Sequence, residues 1–295
     1  MRAFALILAL STSVLAQSPA GGAIEVTERA RAVQPGELVL LTITTARPVD
    51  AVRVRAFNAD HRPFRVDDRT WRVLVGLDLD VKPGSHTVAI TAGAASATHV
   101  LVVKPKAFPT RRLTVDEAFV NPPPEVTRRI EEEAARLAQV WKSSPPERLW
   151  TESFVRPVPQ PANSRFGSRS ILNGQPRSPH GGADFASPAG TPIRAPNAGR
   201  VVIAGDLYYT GGTVVVDHGL GLVSLFAHMS RIDVREGQQV DRGAVVGAVG
   251  ATGRVTGPHL HWTLRADGAR VDPLSLLAVL GAPGGSEKSE AKGQK

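Results

Sequence analysis

The stretch GPHLHWTLR, residues 257–265, brings together two of the 8 histidines in a chain of 295 residues. Side chains at positions i and i+2 of an extended strand project from the same face, so we expect His259 and His261 to face one common space. That arrangement suits a metal site, although it is also an ordinary feature of a half-buried strand. The interpretation therefore depends on which other residues converge on this strand.

Length and composition indicate two globular domains. A chain of 295 residues with 42% hydrophobic content is long enough for one large or two medium domains, and we expect two. The absence of cysteine excludes a disulfide framework and every thiolate metal site. The net charge of +8 comes from arginines dispersed among acidic residues, without a dense basic run, so no nucleic-acid partner is expected.

The N-terminal residues suggest export. Residues 1–16, MRAFALILALSTSVLA, combine an early Arg2 with an apolar run and small residues before a cleavage point, which predicts a signal peptide. The protein is then expected in the periplasm or outside the cell, at the cell wall. No later segment approaches about 18 to 20 continuous apolar residues, so no stable membrane insertion is expected after signal removal. The polar tail, residues 282–295, is predicted to be disordered, and the sequence does not indicate an oligomeric state.

Residues 22–105 have the pattern of a small β-sandwich. Short alternating runs are separated by Pro, Gly and Asp at spacings of roughly ten residues. In AVRVRAF, residues 51–57, Val52 and Val54 would lie on one face and Arg53 and Arg55 on the other. This alternation predicts a sandwich of the immunoglobulin-like kind, and no catalytic cluster is found in it.

Residues 106–150 are predicted to be a linker with one helix. The helix is expected over about Glu125 to Trp141, after a run of prolines and before Pro145 and Pro146. Its apolar stripe is expected to pack on one neighbouring element. That stripe comprises Val126, Ile130, Leu137 and Trp141.

Residues 151–281 are strand-like and rich in glycine, with almost no helical periodicity. This pattern predicts a second, mostly antiparallel β domain. Five of the 8 histidines fall within it, namely His180, His218, His228, His259 and His261. His218 lies in a predicted turn, DHGLG, and is expected to be structural.

A second motif supplies a partner for the histidine pair. PHGGAD, residues 179–184, places His180 four residues before Asp184, and the two glycines between them would let the backbone bend so that both reach one ion. Two imidazoles and a carboxylate form a ligand set of catalytic zinc. Each motif is weak alone, because His180 could simply be a loop residue that is hydrogen-bonded to Asp184. Spacing also leaves open which of His259 and His261 is the ligand.

Four consecutive blocks of the second domain follow a known family pattern. Together they make the region from about Phe154 to Pro273 resemble the lysostaphin-type (LytM-type) zinc metallopeptidases, which cut peptidoglycan peptides. The blocks are SRFGSR (164–169), SPHGGADFASPAGTPIRAPNAGRVV (178–202), VVVDHGLGLVSLFAHMS (214–230) and EGQQVDRGAVVGAVGATGRVTGPHLHW (236–262). The resemblance implies a barrel-sandwich hybrid fold for residues 151–281. The sequence departs from the family pattern at Phe226, where the family often has tyrosine. This difference would remove a hydroxyl from the substrate groove.

The same resemblance implies the roles of the site residues. His180, Asp184 and His261 would hold one zinc ion per chain, and His228 and His259 would be the catalytic pair. The chain has no H-E-x-x-H motif and hence no adjacent glutamate as general base. One of the two histidines would then accept the proton of water and the other would stabilise the oxyanion, in an order left open.

The expected function is that of a secreted or periplasmic zinc metalloendopeptidase that hydrolyses peptide cross-links of peptidoglycan. Its partners would be the stem or cross-bridge peptides, and the bond cleaved is left open. The N-terminal domain could inhibit the site, target the wall or dock a partner.

Two other functions were considered for the second domain. A non-catalytic LytM-type module that binds the wall or activates an amidase would be expected to lack one or more ligands, whereas this sequence has all of them. A biotinyl or lipoyl carrier needs a lysine at a hairpin tip, and the absence of lysine between Thr151 and Leu280 excludes it.

Overall fold

The computed structural model describes residues 24–114, 121–151, 153–163 and 166–281. The expected signal peptide, residues 1–16, and the expected disordered tail, residues 282–295, lie outside the described residues. The described ranges are mainly β, as predicted, and contain two helices. Neither of these helices is long and apolar enough to cross a membrane.

The N-terminal strands form two four-stranded antiparallel sheets that pack face to face. The first sheet has the order β1-β2-β6-β5 and the second has the order β4-β3-β7-β8. Immunoglobulin domains pair their strands as ABED in one sheet and CFG in the other, and the immunoglobulin-like detail of this sandwich stays a prediction. The strands are β1 (Ile24–Ala30), β2 (Leu38–Thr45), β3 (Val52–Ala56), β4 (Ala59–His61), β5 (Phe64–Arg65), β6 (Thr70–Gly76), β7 (Gly84–Ala92) and β8 (Ala95–Val103).

Strands β2 and β3 illustrate how the sandwich buries its core. Along β3, Val52, Val54 and Ala56 are buried while Arg53 and Arg55 are exposed, as the alternation predicts. Strand β2 differs because both of its faces are covered: its odd-numbered apolar residues lie in the sandwich core, and Leu38 and Leu40 lie in the core of the C-terminal domain.

The linker contains a strand as well as the predicted helix. Strand β9 (Thr110–Leu113) was not expected; it pairs in parallel with β10 (Arg169–Leu172) of the C-terminal domain. Helix α1 (Pro124–Val140) begins with proline at its first turn and covers nearly the expected range. Its C-terminal residues Leu137 and Val140, together with Trp141, pack on a cluster that includes Val215 and Leu225.

The C-terminal domain is built on a nine-stranded antiparallel sheet. Its main order is β12-β19-β16-β15-β14-β17, and β13, β18 and β20 pair at its sides. The barrel-sandwich hybrid assignment stays a prediction. The remaining elements are β11 (Gln175–Pro176), β12 (Gly182–Phe185), β13 (Pro192–Arg194), β14 (Gly199–Leu207), β15 (Gly211–Asp217), β16 (Leu222–Ile232), β17 (Gln239–Val240), β18 (Val245–Val249), β19 (Leu260–Ala266), β20 (Ala269–Val271) and α2 (Pro273–Leu280).

The two domains share a hydrophobic core and several polar contacts. Leu38, Leu40, Phe64 and Leu74 of the sandwich belong to the same buried cluster as Leu276 of α2. The amide of Leu38 donates to Ser275 Oγ at 2.8 Å, and Arg31 Nη2 contacts Asp272 Oδ2 at 2.7 Å. The domains therefore form a continuous packed unit.

Candidate metal centre

The pairing of β12 with β19 places two of the predicted ligands side by side. Asp184 lies directly opposite His261 in the antiparallel register. Leu260, Trp262 and Leu264 of β19 point into the domain core, so His261 projects from the opposite face. Asp184 projects from that same face because its neighbours Ala183 and Phe185 are core residues.

His180 reaches the same carboxylate from the segment that precedes β12. Two backbone hydrogen bonds hold this segment, from the amide of His180 to Ser168 O at 2.9 Å and from the amide of Gly167 to His180 O at 2.8 Å. His180 Nε2 then lies 3.0 Å from Asp184 Oδ1, and His261 Nδ1 lies 2.8 Å from the same oxygen. One potential ligand atom from each of the three residues lies within 4.8 Å of the others.

His259 and His228 complete the cluster of five side chains. His259 Nε2 is 3.8 Å from Asp184 Oδ1, about 1 Å farther than His261 Nδ1, so the geometry favours His261 as the ligand. The ring of His228 lies 4.8 Å from the ring of His259 and 6.0 Å from that of His261, measured between centroids. All five residues singled out from the sequence are thus neighbours.

A β-bulge directs His228 into the site. Thr213 of β15 faces two residues of β16, Ala227 and His228, because the register shifts between Gly212 and Val214. Ala227 lies opposite His261, and in a regular strand the next side chain would point to the other face. His228 instead has a left-handed backbone, with φ of 66°, and its ring stays beside the ligands.

The hydrogen bonds of His228 and His259 fix which nitrogen of each neutral ring carries the proton. His228 Nδ1 lies 2.9 Å from Thr252 O, and His259 Nδ1 lies 3.0 Å from Gly257 O. A carbonyl oxygen only accepts hydrogen bonds, so Nδ1 must be the donor in both rings. Nε2 of each neutral ring is therefore free to accept a proton.

The electrostatics of the cluster favour an ionised Asp184 beside neutral rings at His228 and His261. Burial of Asp184 opposes its ionisation, but hydrogen bonds from His180 and His261 outweigh burial and hold the pKa of this carboxyl well below its usual range. Burial lowers the pKa of His228 to about 4 and also lowers the pKa of His261. Neutral imidazole is the form that binds a cation.

Gly182 protects the position of the His261 ring. A Cβ atom at Gly182 would lie 2.8 Å from His261 Nε2 and still closer to Trp262 O. Its neighbour Gly181 has open space at the same position. The sequence suggested that both glycines let the backbone bend. The structure shows in addition that a side chain at position 182 would collide with Trp262 and His261.

Two further residues can be compared with their sequence predictions. Phe226 is fully buried and packs on Trp262 in the core, so the expectation that this position contributes to the groove is wrong. His218 is also fully buried, and its ring nitrogens contact Ala198 O at 2.8 Å and Ser224 Oγ at 3.0 Å, which makes it structural.

Comparison with known proteins gives the family. The sequence model of peptidase family M23 matches residues 178–273. A crystal structure from Pseudomonas aeruginosa, described as a candidate M23 peptidase, is 35% identical, with a TM-score of 0.68 over 85% of this chain and 97% of the other. The chain belongs to peptidase family M23. The match extends through the sandwich as well as the M23 domain.

Two curated relatives match a third of this chain. The peptidoglycan DD-endopeptidase ShyA of Vibrio cholerae is 44% identical over 97 residues, which are 33% of this chain and 23% of that protein. The DD-carboxypeptidase/endopeptidase Mpg of Neisseria meningitidis serogroup B is 43% identical over 97 residues, 33% of this chain and 22% of the relative. The chain thus covers less than a quarter of each relative's length.

Proposed function

We propose that this protein is a zinc-dependent endopeptidase that hydrolyses peptide cross-links of bacterial peptidoglycan. The observation that carries the proposal is the convergence of His180, Asp184 and His261 on one point, with His228 and His259 beside them. Membership of family M23 supports the peptidase reaction, and the name of the relative ShyA, a peptidoglycan DD-endopeptidase, supports peptidoglycan as substrate. An envelope location, periplasmic or extracellular, belongs to the same proposal.

The donor set fits one zinc ion per chain. Two imidazole nitrogens and one carboxylate oxygen are a set that catalytic zinc sites use, with a further coordination position left for water or substrate. His180 Nε2 and His261 Nδ1 both approach Asp184 Oδ1, as expected of groups that share one ion. We assign His180, Asp184 and His261 as the ligands.

His228 and His259 would carry the proton transfers. Zinc, when bound, supplies a Lewis acid for the scissile carbonyl and lowers the pKa of water. The free Nε2 atoms of His228 and His259 can accept a proton, and a protonated ring can donate a hydrogen bond to negative charge that develops on the carbonyl oxygen. The low pKa of His228, about 4, keeps this ring neutral at pH 7, so its Nε2 carries a free lone pair.

Digestion of purified peptidoglycan tests reaction, metal and specificity together. The full chain is incubated with sacculi and the released fragments are analysed by mass spectrometry. We expect cross-linked fragments to be converted to uncross-linked ones, a chelator to stop the reaction and added zinc to restore it. His180→Ala should be inactive, whereas His99→Ala, a control at a partly buried histidine of the sandwich, should keep full activity.

Two outcomes would contradict the proposal in different ways. A chain that binds zinc, leaves every cross-link intact and stimulates a wall amidase would be the non-catalytic module instead. Cleavage that persists unchanged after complete removal of the metal would overturn zinc dependence.

A further inference from the structure

The two ring nitrogens of His261 have different partners. Nδ1 faces Asp184, another of the predicted ligands, whereas Nε2 lies 3.0 Å from the hydroxyl oxygen of Thr263. Thr263 is two residues along β19, so it projects from the same face, and only 8% of its surface is exposed. The hydroxyl of Thr263 is therefore held against the side of the imidazole that faces away from the ligands.

A neutral imidazole can bind a cation only through the nitrogen that carries no proton. If His261 binds through Nδ1, its proton must lie on Nε2 and needs an acceptor there. A hydroxyl can rotate to accept from Nε2–H when a cation occupies Nδ1, and to donate to Nε2 when Nδ1–H donates to Asp184. Thr263 can thus support both tautomers without a change in ring position.

We propose that Thr263 is a positioning residue of the metal site, which holds the ring orientation and the metal-binding tautomer of His261. The inference rests on the proposed zinc site. Gly182 supports it, because Gly182 lies opposite Thr263 in the register and leaves the space beside His261 Nε2 free. On its Nε2 side the ring is confined by Thr263 and by the backbone at Gly182, and of these two neighbours only the Thr263 side chain is hydrogen-bonded to it.

His180 provides a contrast within the same site. Its outer nitrogen, Nδ1, is buried and has no hydrogen-bond partner among the described residues. Partners of ligating histidines are worth about 10- to 100-fold in metal affinity. We therefore expect a measurable loss of affinity when the Thr263 hydroxyl is removed.

Zinc affinity of Thr263→Val and Thr263→Ser in the full chain tests the inference. Valine keeps the shape of threonine and removes the hydroxyl, and serine keeps the hydroxyl. By competition with a chromophoric chelator, we expect valine to weaken zinc binding about 10- to 100-fold and serine to stay within a few-fold of the wild type. Thr45→Val, which removes an equally buried hydroxyl in the sandwich, should leave zinc affinity unchanged.

A second readout does not depend on any substitution. Imidazole ¹⁵N NMR of the zinc-loaded wild type should show His261 coordinated at Nδ1 and protonated at Nε2. Coordination at Nε2, or equal zinc affinity of Thr263→Val and the wild type, would overturn the inference while the proposed function stands. A wild-type chain that binds no zinc would overturn both the role of Thr263 and the proposed function. This result can be distinguished from the others because it is measured on the wild type, before any variant is compared.

Discussion

At the residue scale, His228 and His259 are distinguished from the three proposed ligands by their hydrogen bonds to backbone carbonyls. These bonds hold the rings beside the ligand cluster without using the oxygen of Asp184. In the proposed mechanism, proton transfer is thereby separated from metal binding. Substitution of either histidine should therefore impair proton transfer and leave metal binding intact.

His228→Ala and His259→Ala should retain zinc and lose activity. Removal of a positioned acid or base costs about 10²- to 10⁴-fold in rate, and we expect losses of that size in kcat. Zinc content is measured by elemental analysis beside cleavage of a peptidoglycan fragment. A loss of zinc that matches the loss of activity would mean that ligand and catalyst have been confused.

Gly182→Ala should weaken zinc binding at least 10-fold. The new methyl group would meet backbone at Trp262 and the ring of His261, so either the strand or the ring must shift. The matched control is Gly181→Ala, because a Cβ at Gly181 meets nothing within 4 Å. If both variants bind zinc as tightly as the wild type, the close packing at Gly182 does not constrain the metal site.

Not all of this arrangement could be predicted from the sequence. The spacing of PHGGAD and of the paired histidines led to all five residues, and family resemblance separated His261 from His259. Phe226 was placed wrongly because the sequence does not show which face of β16 points to the core. Thr263 was missed because a threonine in a strand is ordinary, although its place two residues after His261 was a usable signal.

At the element scale, the turn between β15 and β16 is organised around a histidine that stays neutral. His218 lies between β15 and β16, and its amide is hydrogen-bonded to Leu222 O at 2.9 Å. Burial lowers the pKa of His218 from 6.5 to about 4. The turn is therefore sensitive to acid.

The stability of the protein should fall as the pH is lowered through this range. Between pH 6.5 and about 4 the unfolded chain binds a proton at residue 218 that the folded chain resists, so protonation favours unfolding. The loss begins below about pH 6.5 and is complete below about pH 4, with a size of roughly 3 kcal/mol.

Urea unfolding of the wild type and His218→Asn at pH 7 and pH 4.5 measures this contribution. Asparagine cannot titrate, so the variant should lose less stability on acidification than the wild type does. Both proteins contain the neighbouring Asp217, whose pKa is raised by burial. Subtracting the stability loss of the variant from that of the wild type therefore removes the contribution of Asp217. Equal pH dependence in the two proteins would contradict the prediction.

The secondary structure was predictable where its periodicity is strong. The alternation in AVRVRAF and the proline-bounded stripe of α1 led to a strand and a helix at nearly the observed positions. Strand β9 was not predictable, because its four residues, TRRL, are all exposed and the strand exists only through its parallel pairing with β10. Local sequence carries no signal for such a contact.

At the scale of the whole molecule, the interface between the domains predicts that they unfold cooperatively. Besides the shared apolar cluster, Arg270 is paired with Asp78 and Asp80, and Asp267 is paired with Arg62 at 2.7 Å. A Cβ at Gly76 of β6 would lie 2.9 Å from Ala269 Cβ, so the two domains approach closely there. The sequence predicted two domains but not this contact area.

Leu74→Ala should destabilise both domains together. Leu74 is in the sandwich but packs in the core of the M23 domain, and loss of a buried leucine costs about 2 to 5 kcal/mol. Hydrogen exchange followed by mass spectrometry should show faster exchange in β19 as well as in β6. The control variant is Leu101→Ala, because Leu101 lies in the core of the sandwich itself. Unchanged exchange in β19 for Leu74→Ala would mean that the domains unfold independently.

The bulge in β16 makes chain length at this point more important than side-chain identity. The strand supplies Phe226 to the core and His228 to the site within three residues, and the extra residue opposite Thr213 permits both. Deleting or inserting one residue between positions 226 and 229 would shift the imidazole by about 3 Å along the strand or turn it inward. Aligned homologues that keep this histidine should therefore tolerate replacements here but show no gaps.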